Sequence, residues 1–309
     1  MNLIDDLINL ADYNREPEGT EKIRAASDIV DEMAANLGKP NPDPGHRLPW
    51  AKLQQWKLRD DELTIWAGIN GHGKSQLTGL IATDLVFARQ RVCIASLEMK
   101  PEKTLKRMLR QFVGYNPDAE WSQHPNAVAE MRELYSQFSA QCLEMLWIYD
   151  QMGTVETGKM IALVRYCARK LGVQHMVIDS LMKCVKGADD YNAQKDFVGE
   201  LFSIARDHKM HIHLVHHIRK LENEAKVPDK MDLKGAGDIT DIADNVAIVW
   251  RNKTEPNKRK DGEYDCVLNV CKQRNGNGWE GKVGMYYDNE SQQYTEGRGE
   301  RIDFCARAL

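Results

Sequence analysis

Between residues 60 and 250 the chain alternates short apolar runs with longer stretches of helical periodicity. Leu63–Ala67, Val92–Leu97, Leu146–Tyr149, Met176–Ile178, Ile212–Val215 and Val246–Trp250 are too short for buried helices and are bounded by polar residues, so they predict strands. The stretches Ser75–Gln90, Thr157–Lys170 and Asn192–His208 predict helices between them. Apolar strands separated by helices indicate the α/β class, with a mainly parallel sheet covered on both faces. Beyond Trp250 the pattern changes: Tyr264–Lys272 and Lys282–Tyr287 flank Asn275-Gly276-Asn277-Gly278, which predicts a C-terminal β-hairpin.

Residues 1–38 read as two helices broken near Arg15-Glu16-Pro17-Glu18-Gly19. The second carries Ile23, Ala26, Ile29, Val30 and Met33 as a stripe, expected to dock on its own core or on a neighbouring subunit. Lys39–Gly45 contains three prolines, which remove donors and bias the preceding residues to extended shapes. The division is therefore an N-terminal helical segment with its linker, 1–45, and a larger domain, 46–309.

Composition narrows the function classes. No apolar run approaches membrane-spanning length, and the acidic start does not resemble a signal peptide. Seven cysteines without a CxxC pair suggest reduced thiols and a cytoplasmic protein, with no zinc ribbon. A formal net charge of −4 excludes a uniformly basic nucleic-acid coat but leaves room for a local basic lining. Trp50, Trp56 and Trp66 are core candidates, and no aromatic stacking platform for single strands is evident.

The sharpest signal is Gly68-Ile69-Asn70-Gly71-His72-Gly73-Lys74-Ser75, which fits G-x-x-x-x-G-K-[ST] between a strand and a helix. Gly68, Gly71 and Gly73, with Asn70 and His72, would curl backbone N–H groups around phosphate oxygens at a helix N-terminus. Lys74 would reach the terminal phosphates of ATP and the Ser75 hydroxyl would bind Mg²⁺. Met176-Val177-Ile178-Asp179 supplies an apolar strand ending in an acid; Asp179 would complete the metal site, or cap the following turn. Glu98 ends the strand after the P-loop helix, where a carboxylate could polarise the attacking water; taken alone it also reads as a surface glutamate.

These segments, in this order, resemble the DnaB-type replicative DNA helicases and the helicase half of Twinkle-like phage primase–helicases. The likeness rests on Ser96-Leu97-Glu98-Met99, on Asp232–Ile239 running through Asp244-Asn245-Val246 to Arg251-Asn252, and on Lys272-Gln273-Arg274 before Gly284–Tyr287. It covers about residues 46–295. The resemblance implies a RecA-like ATPase fold, Glu98 as general base, and His217 as the γ-phosphate sensor, the choice over His216 being one of register. It further implies Arg274 as an arginine finger in a neighbour's site with Lys272 beside it, and Tyr287 stacked on the base. His211, His213, His216 and His217 also invite a metal reading, but no Cys or acid follows at ligand spacing, and a structural strand ending in a sensor is preferred.

Three basic loops follow the predicted strands: Lys183–Lys186, Arg219–Lys226 with Lys220, and Lys234 beside Gly235. On one edge of a ring they would line a channel and contact sugar–phosphate of single-stranded DNA. Lys253–Lys260 is expected to face solvent. The overall expectation is an ATP- and Mg²⁺-dependent replicative helicase, a homo-oligomer and by resemblance a hexamer, in the cytoplasm of a bacterial or phage-infected cell. A separate primase or polymerase is the expected partner, since residues 1–38 have room only for a linker helix. The rivals are a switch or clock-type ATPase of the same fold, and a DNA-binding scaffold that uses ATP only to assemble.

Overall fold

The structure is a computed structural model and describes residues 2–3, 13, 25–35, 37, 45–120, 126–187, 190–219, 223–233, 236–255, 258–260 and 262–304. The expected sheet is present, and larger than the sequence suggests. In chain order its strands are β1 (Asn2–Leu3), then β4 (Leu63–Gly68), β5 (Val92–Ser96), β6 (Leu146–Ile148), β7 (His175–Asp179), β8 (His211–His217), β9 (Asn245–Arg251), β10 (Cys266–Gln273), β11 (Gly281–Asp288) and β12 (Gln293–Thr295). The spatial order is β1-β6-β5-β7-β8-β4-β9-β10-β11-β12. Neighbours from β1 to β9 pair in parallel, and β10, β11 and β12 turn back antiparallel. A separate two-stranded ribbon joins β2 (His46–Arg47) to β3 (Lys57–Leu58).

Strand periodicity divides the core in two. Leu63, Ile65, Ala67, Met176, Ile178, Ile212 and Leu214 point to one face. There they pack on α6 (Thr157–Tyr166) and α7 (Tyr191–His208), with Ile239 of α8 (Ala236–Ile242). Trp66, Ile94, Ile148, Val177, Val215 and Val249 point to the other. Those meet α2 (Lys74–Phe87), α3 (Pro101–Val113) and α5 (Ala127–Cys142), the single turn α4 (Pro117–Glu120) standing between the last two in the chain. Burial on both faces explains why the strands read as continuous apolar runs and not as an alternation. Trp50, Trp56 and Trp66 are core residues, as expected. The six described cysteines are buried and free.

Helix boundaries follow local chemistry. Pro101 opens α3 and Gly114, in the left-handed region at φ 78°, closes it. Asp190 caps α7 by accepting the Ala193 N–H at 3.0 Å. Helices α3 and α5, strand β12 and the β2–β3 ribbon were not picked out from the sequence. Tyr294 and Gln293 on β12 make contacts remote in the chain, to Trp50 and Gln111, so no local pattern announces that strand.

Two expectations need correction. The chain start holds the short strand β1, paired with β6, where a helix was expected. Within Lys253–Lys260, Arg259 is not solvent-facing: its guanidinium is buried against the Asp265 carboxylate. The second expected N-terminal helix is α1 (Ala26–Ala35), with Ile29, Val30 and Met33 of its apolar stripe exposed. Ile23 and, apart from Asn2, Leu3 and Tyr13, the first expected helix lie outside the described residues. Among the described residues no helix is long and apolar enough to cross a membrane.

Candidate nucleotide site

Strands β5, β7, β8 and β4 are adjacent, and their carboxyl ends deliver Glu98, Asp179, His217 and the P-loop to one edge. They line a pocket of about 420 Å³ together with Asn70, Gly71, Gly73, Lys74 and Ser75. The loop is built on backbone constraints that only glycine meets at two points. Gly68 lies so close to β9 that a Cβ there would stand 2.5 Å from the Val249 carbonyl oxygen. Gly73 holds φ at +91°, and its missing Cβ would stand 2.0 Å from the Tyr294 hydroxyl.

The charges inside are largely desolvated. Lys74 Nζ donates to the Gly68 and Ile69 carbonyls at 3.0 and 3.1 Å, and burial lowers its pKa. Ser75 Oγ donates to Asp179 Oδ2, whose carboxyl burial pushes upward. Glu98 goes the other way. The His217 imidazole, with Nε2 3.7 Å from Oε1, and the Ser180 hydroxyl, donating at 2.9 Å, hold its carboxyl down to about 2 against the effect of burial. Glu98 is therefore ionised throughout the neutral range, while Asp179 and Lys74 meet a ligand across a region of weak screening.

The pocket fits a magnesium nucleotide. A hydroxyl and a buried carboxylate converge at the helix N-terminus, an amine stands behind them, and no group of three or more protein metal ligands occurs among the described residues. A hard cation held by one or two protein oxygens and completed by phosphate suits that donor set.

Tyr287 lines the pocket, its ring 5.1 Å from that of Tyr294 and under the Arg251 guanidinium at 5.7 Å. Arg107 of α3, Arg251, Asp265 and Tyr294 also face it and were missed in the sequence. Arg107 had one usable signal: a cation two turns into the helix that follows Glu98. Gly68 and His72 of the P-loop do not line the pocket; the His72 ring is buried and turned towards β9.

Lys272 and Arg274 stand elsewhere. Asn245 pairs with Thr64 in parallel and with Gln273 in antiparallel, which puts Arg274 at the level where β4 begins. The P-loop leaves the other end of β4, roughly 17 Å away at about 3.3 Å per residue. Arg274 Nη1 pairs with Asp244 Oδ1 at 3.3 Å and Nη2 donates to the Asp241 carbonyl at 2.6 Å. Lys272 Nζ donates to the Thr240 and Asp241 carbonyls at 2.7 and 3.1 Å. Both thus cap the end of α8, and neither reaches the nucleotide pocket of its own chain.

Of the expected nucleic-acid residues, Lys186 and Arg219 are exposed beyond β7 and β8, whereas Lys183 is half-buried and turned back enough to help hold Glu98 ionised. Lys220, Lys234 and Gly235 lie outside the described residues. The strand histidines form no metal site. The His211 Nδ1–H donates to the Arg59 carbonyl at 2.6 Å, Trp66 Nε1–H donates to His213 Nδ1 at 3.1 Å, and His213 Nε2 stands 3.2 Å from His175 Nδ1.

Comparison with known proteins agrees with this geometry. Residues 54–296 match the family model described as the DnaB-like helicase C-terminal domain. One similar structure is a DnaB-like replicative helicase studied with its interactions with primase: TM-score 0.72, 17% identity, covering 89% of this chain and 68% of that one. Another is the ATPase domain of G40P: TM-score 0.73, 16% identity, covering 90% of this chain and all of that one. With a RecA-like sheet, a nucleotide pocket assembled at its carboxyl edge and a family match over most of its length, the chain belongs to the DnaB-like helicase C-terminal domain family, the ATP-hydrolysing part of replicative helicases.

Proposed function

We propose that this chain is the motor of a ring-forming helicase that moves along single-stranded DNA by hydrolysing ATP with Mg²⁺. Ser75 and Asp179 would hold the metal, which when bound supplies positive charge to the β- and γ-phosphates. The chain's own residues do the rest. The P-loop amides and Lys74 would bind the phosphates, Glu98 would orient a water and take its proton, and His217, 3.7 Å from Glu98, would sense the terminal phosphate. Tyr287 and Arg251 enclose the base.

One observation carries the reading: the acid that activates water, the metal-binding pair and the phosphate-binding lysine converge in one pocket, while Arg274 stands at the far end of the sheet. An arginine so placed can serve a nucleotide only from another copy of the chain, which supports hydrolysis at subunit boundaries. The exposed stripe of α1, tethered by the proline linker, supports its docking on a neighbouring subunit. Lys186 and Arg219, with Lys220, Lys234 and Gly235, would contact the strand, and Lys183 would add positive potential behind them. A primase or polymerase acting beside the ring is part of the proposal, as is a bacterial or phage-infected cytoplasm.

The test is strand displacement on a forked DNA with ATP and with a non-hydrolysable analogue. Displacement only with ATP is expected. ATP turnover indifferent to single strands, without displacement, would favour a switch-type ATPase instead.

A further inference from the structure

The P-loop histidine makes contacts that gripping phosphate does not require. His72 is fully buried, and its Nδ1 accepts the backbone N–H of Arg251 at 3.0 Å. Burial holds its pKa down at about 4, so the ring is neutral with its proton on Nε2. That Nε2 has no hydrogen-bond partner among the described residues, and Glu224 Oε2 stands 3.9 Å away.

Glu224 belongs to the segment between β8 and Leu233. The two ends of that segment are closed together by the Ile218–Leu233 bridge and by the Arg219 N–H donating to the Asp232 carbonyl at 2.8 Å. Its near arm is pinned: Trp250 Nε1–H donates to the Glu224 carbonyl at 2.8 Å, and Lys253 Nζ meets the Glu224 carboxylate at 3.1 Å. Its far arm projects, with Lys230 exposed and Met231 65% exposed. The imidazole therefore lies between Arg251, which lines the nucleotide pocket, and a segment of mixed charge whose exposed lysines are Lys226 and Lys230.

We propose that His72 is a positioning residue which, through Glu224, couples the P-loop to the segment 223–233, so that nucleotide in the pocket changes that segment's hold on single-stranded nucleic acid. The 3.9 Å gap is about 1 Å longer than an N–H···O⁻ bond, and a small displacement of the loop closes or widens it. This route passes on the β9 side of the P-loop, opposite the β8 side where His217 stands. It rests on the reading that the segment carrying Arg219 contacts single strands.

Coupling is reciprocal, so it is measurable at equilibrium without turnover. The full chain is titrated with a fluorescent single-stranded oligonucleotide, with and without a non-hydrolysable ATP analogue and magnesium, for the wild type, Glu224→Gln and His72→Asn. Glu224 lies on the surface, so Glu224→Gln folds even if His72→Asn does not. The ratio of the two affinities in the wild type is expected to collapse at least about 5-fold in Glu224→Gln, with analogue binding in the absence of DNA unchanged. Lys253→Ala removes a surface partner of the same carboxylate and should leave the ratio near the wild-type value. An unchanged ratio in Glu224→Gln overturns the proposal, and so does an equal loss of affinity with and without analogue, which marks a plain contact with DNA. If the wild type shows no dependence on nucleotide at all, the reading of the segment as a nucleic-acid contact fails first, and the coupling with it.

Discussion

At Glu98 a general rule of buried carboxylates is reversed. Burial raises Asp179 but is outweighed at Glu98 by the His217 ring and the Ser180 hydroxyl, so two acids on neighbouring strands are driven apart. Held in its ionised form, Glu98 can accept a hydrogen bond from a water and so orient it for attack. Glu98→Gln keeps the size and the Ser180 contact but loses the base; nucleotide binding should stay within a few-fold while phosphate release falls about 10²–10⁴-fold. Comparable turnover in the variant would remove Glu98 from the chemistry. Gly73 is constrained differently, by space and by its backbone angle. Gly73→Ala must accommodate a methyl 2.0 Å from the Tyr294 hydroxyl at φ +91°, so a lower melting temperature and at least about 10-fold weaker binding of ATP are expected, the strain at such a position costing about 1–3 kcal/mol. Calorimetry and nucleotide titration of the purified variant check both.

At the scale of elements, β10 and α8 hold the candidate finger at the edge remote from the P-loop. Asp244 is fully buried, accepts the Leu63 N–H at 3.0 Å and pairs with Arg206 at 2.9 Å as well as with Arg274. Arg274 is therefore dispensable for burying that charge, and its 38% exposed side chain has freedom to reach outward. Arg274→Ala should fold, bind ATP and lose turnover by about 10³-fold or more, the usual effect of an arginine finger. Mixed with Lys74→Ala, it should regain measurable ATPase, because each variant repairs the boundary that the other spoils. Assembled mixtures with no rescue would show that Arg274 acts within its own chain or not at all.

Across the whole molecule, the sheet buries a chain of neutral histidines. His175, His211 and His213 are all but fully buried; His213 lies between His175 and the Trp66 indole, His211 bonds Arg59 and Thr64, and desolvation holds His211 at about 4 and the other two well below the ordinary value. The unfolded chain takes up protons near pH 6.5, whereas the folded one does not until much lower pH. Their contribution is thus fully present above about pH 6.5 and is lost as pH falls towards 4. A displacement of this size amounts to about 3 kcal/mol for His211 alone. Urea midpoints measured from pH 7.5 to pH 5 should fall steadily, and a flat series would mean that the cluster protonates inside the fold.

The sequence by itself determined the strands and the phosphate grip. Both are written in contiguous residues: an apolar run buried on two faces has one reading at that length, and Gly68–Ser75 encodes its own backbone path. Glu98 and Asp179 were legible because each closes such a run. Only the tertiary structure decided which strands are neighbours, and so brought Arg107, Arg251, Asp265 and Tyr294 to a pocket they do not border in the chain. It alone turned the His72 ring away from the phosphates and buried Arg259 within a run of polar residues. Local sequence specifies backbone conformation, whereas the direction and company of a side chain depend on groups tens to hundreds of residues away, which meet it only when the sheet has formed.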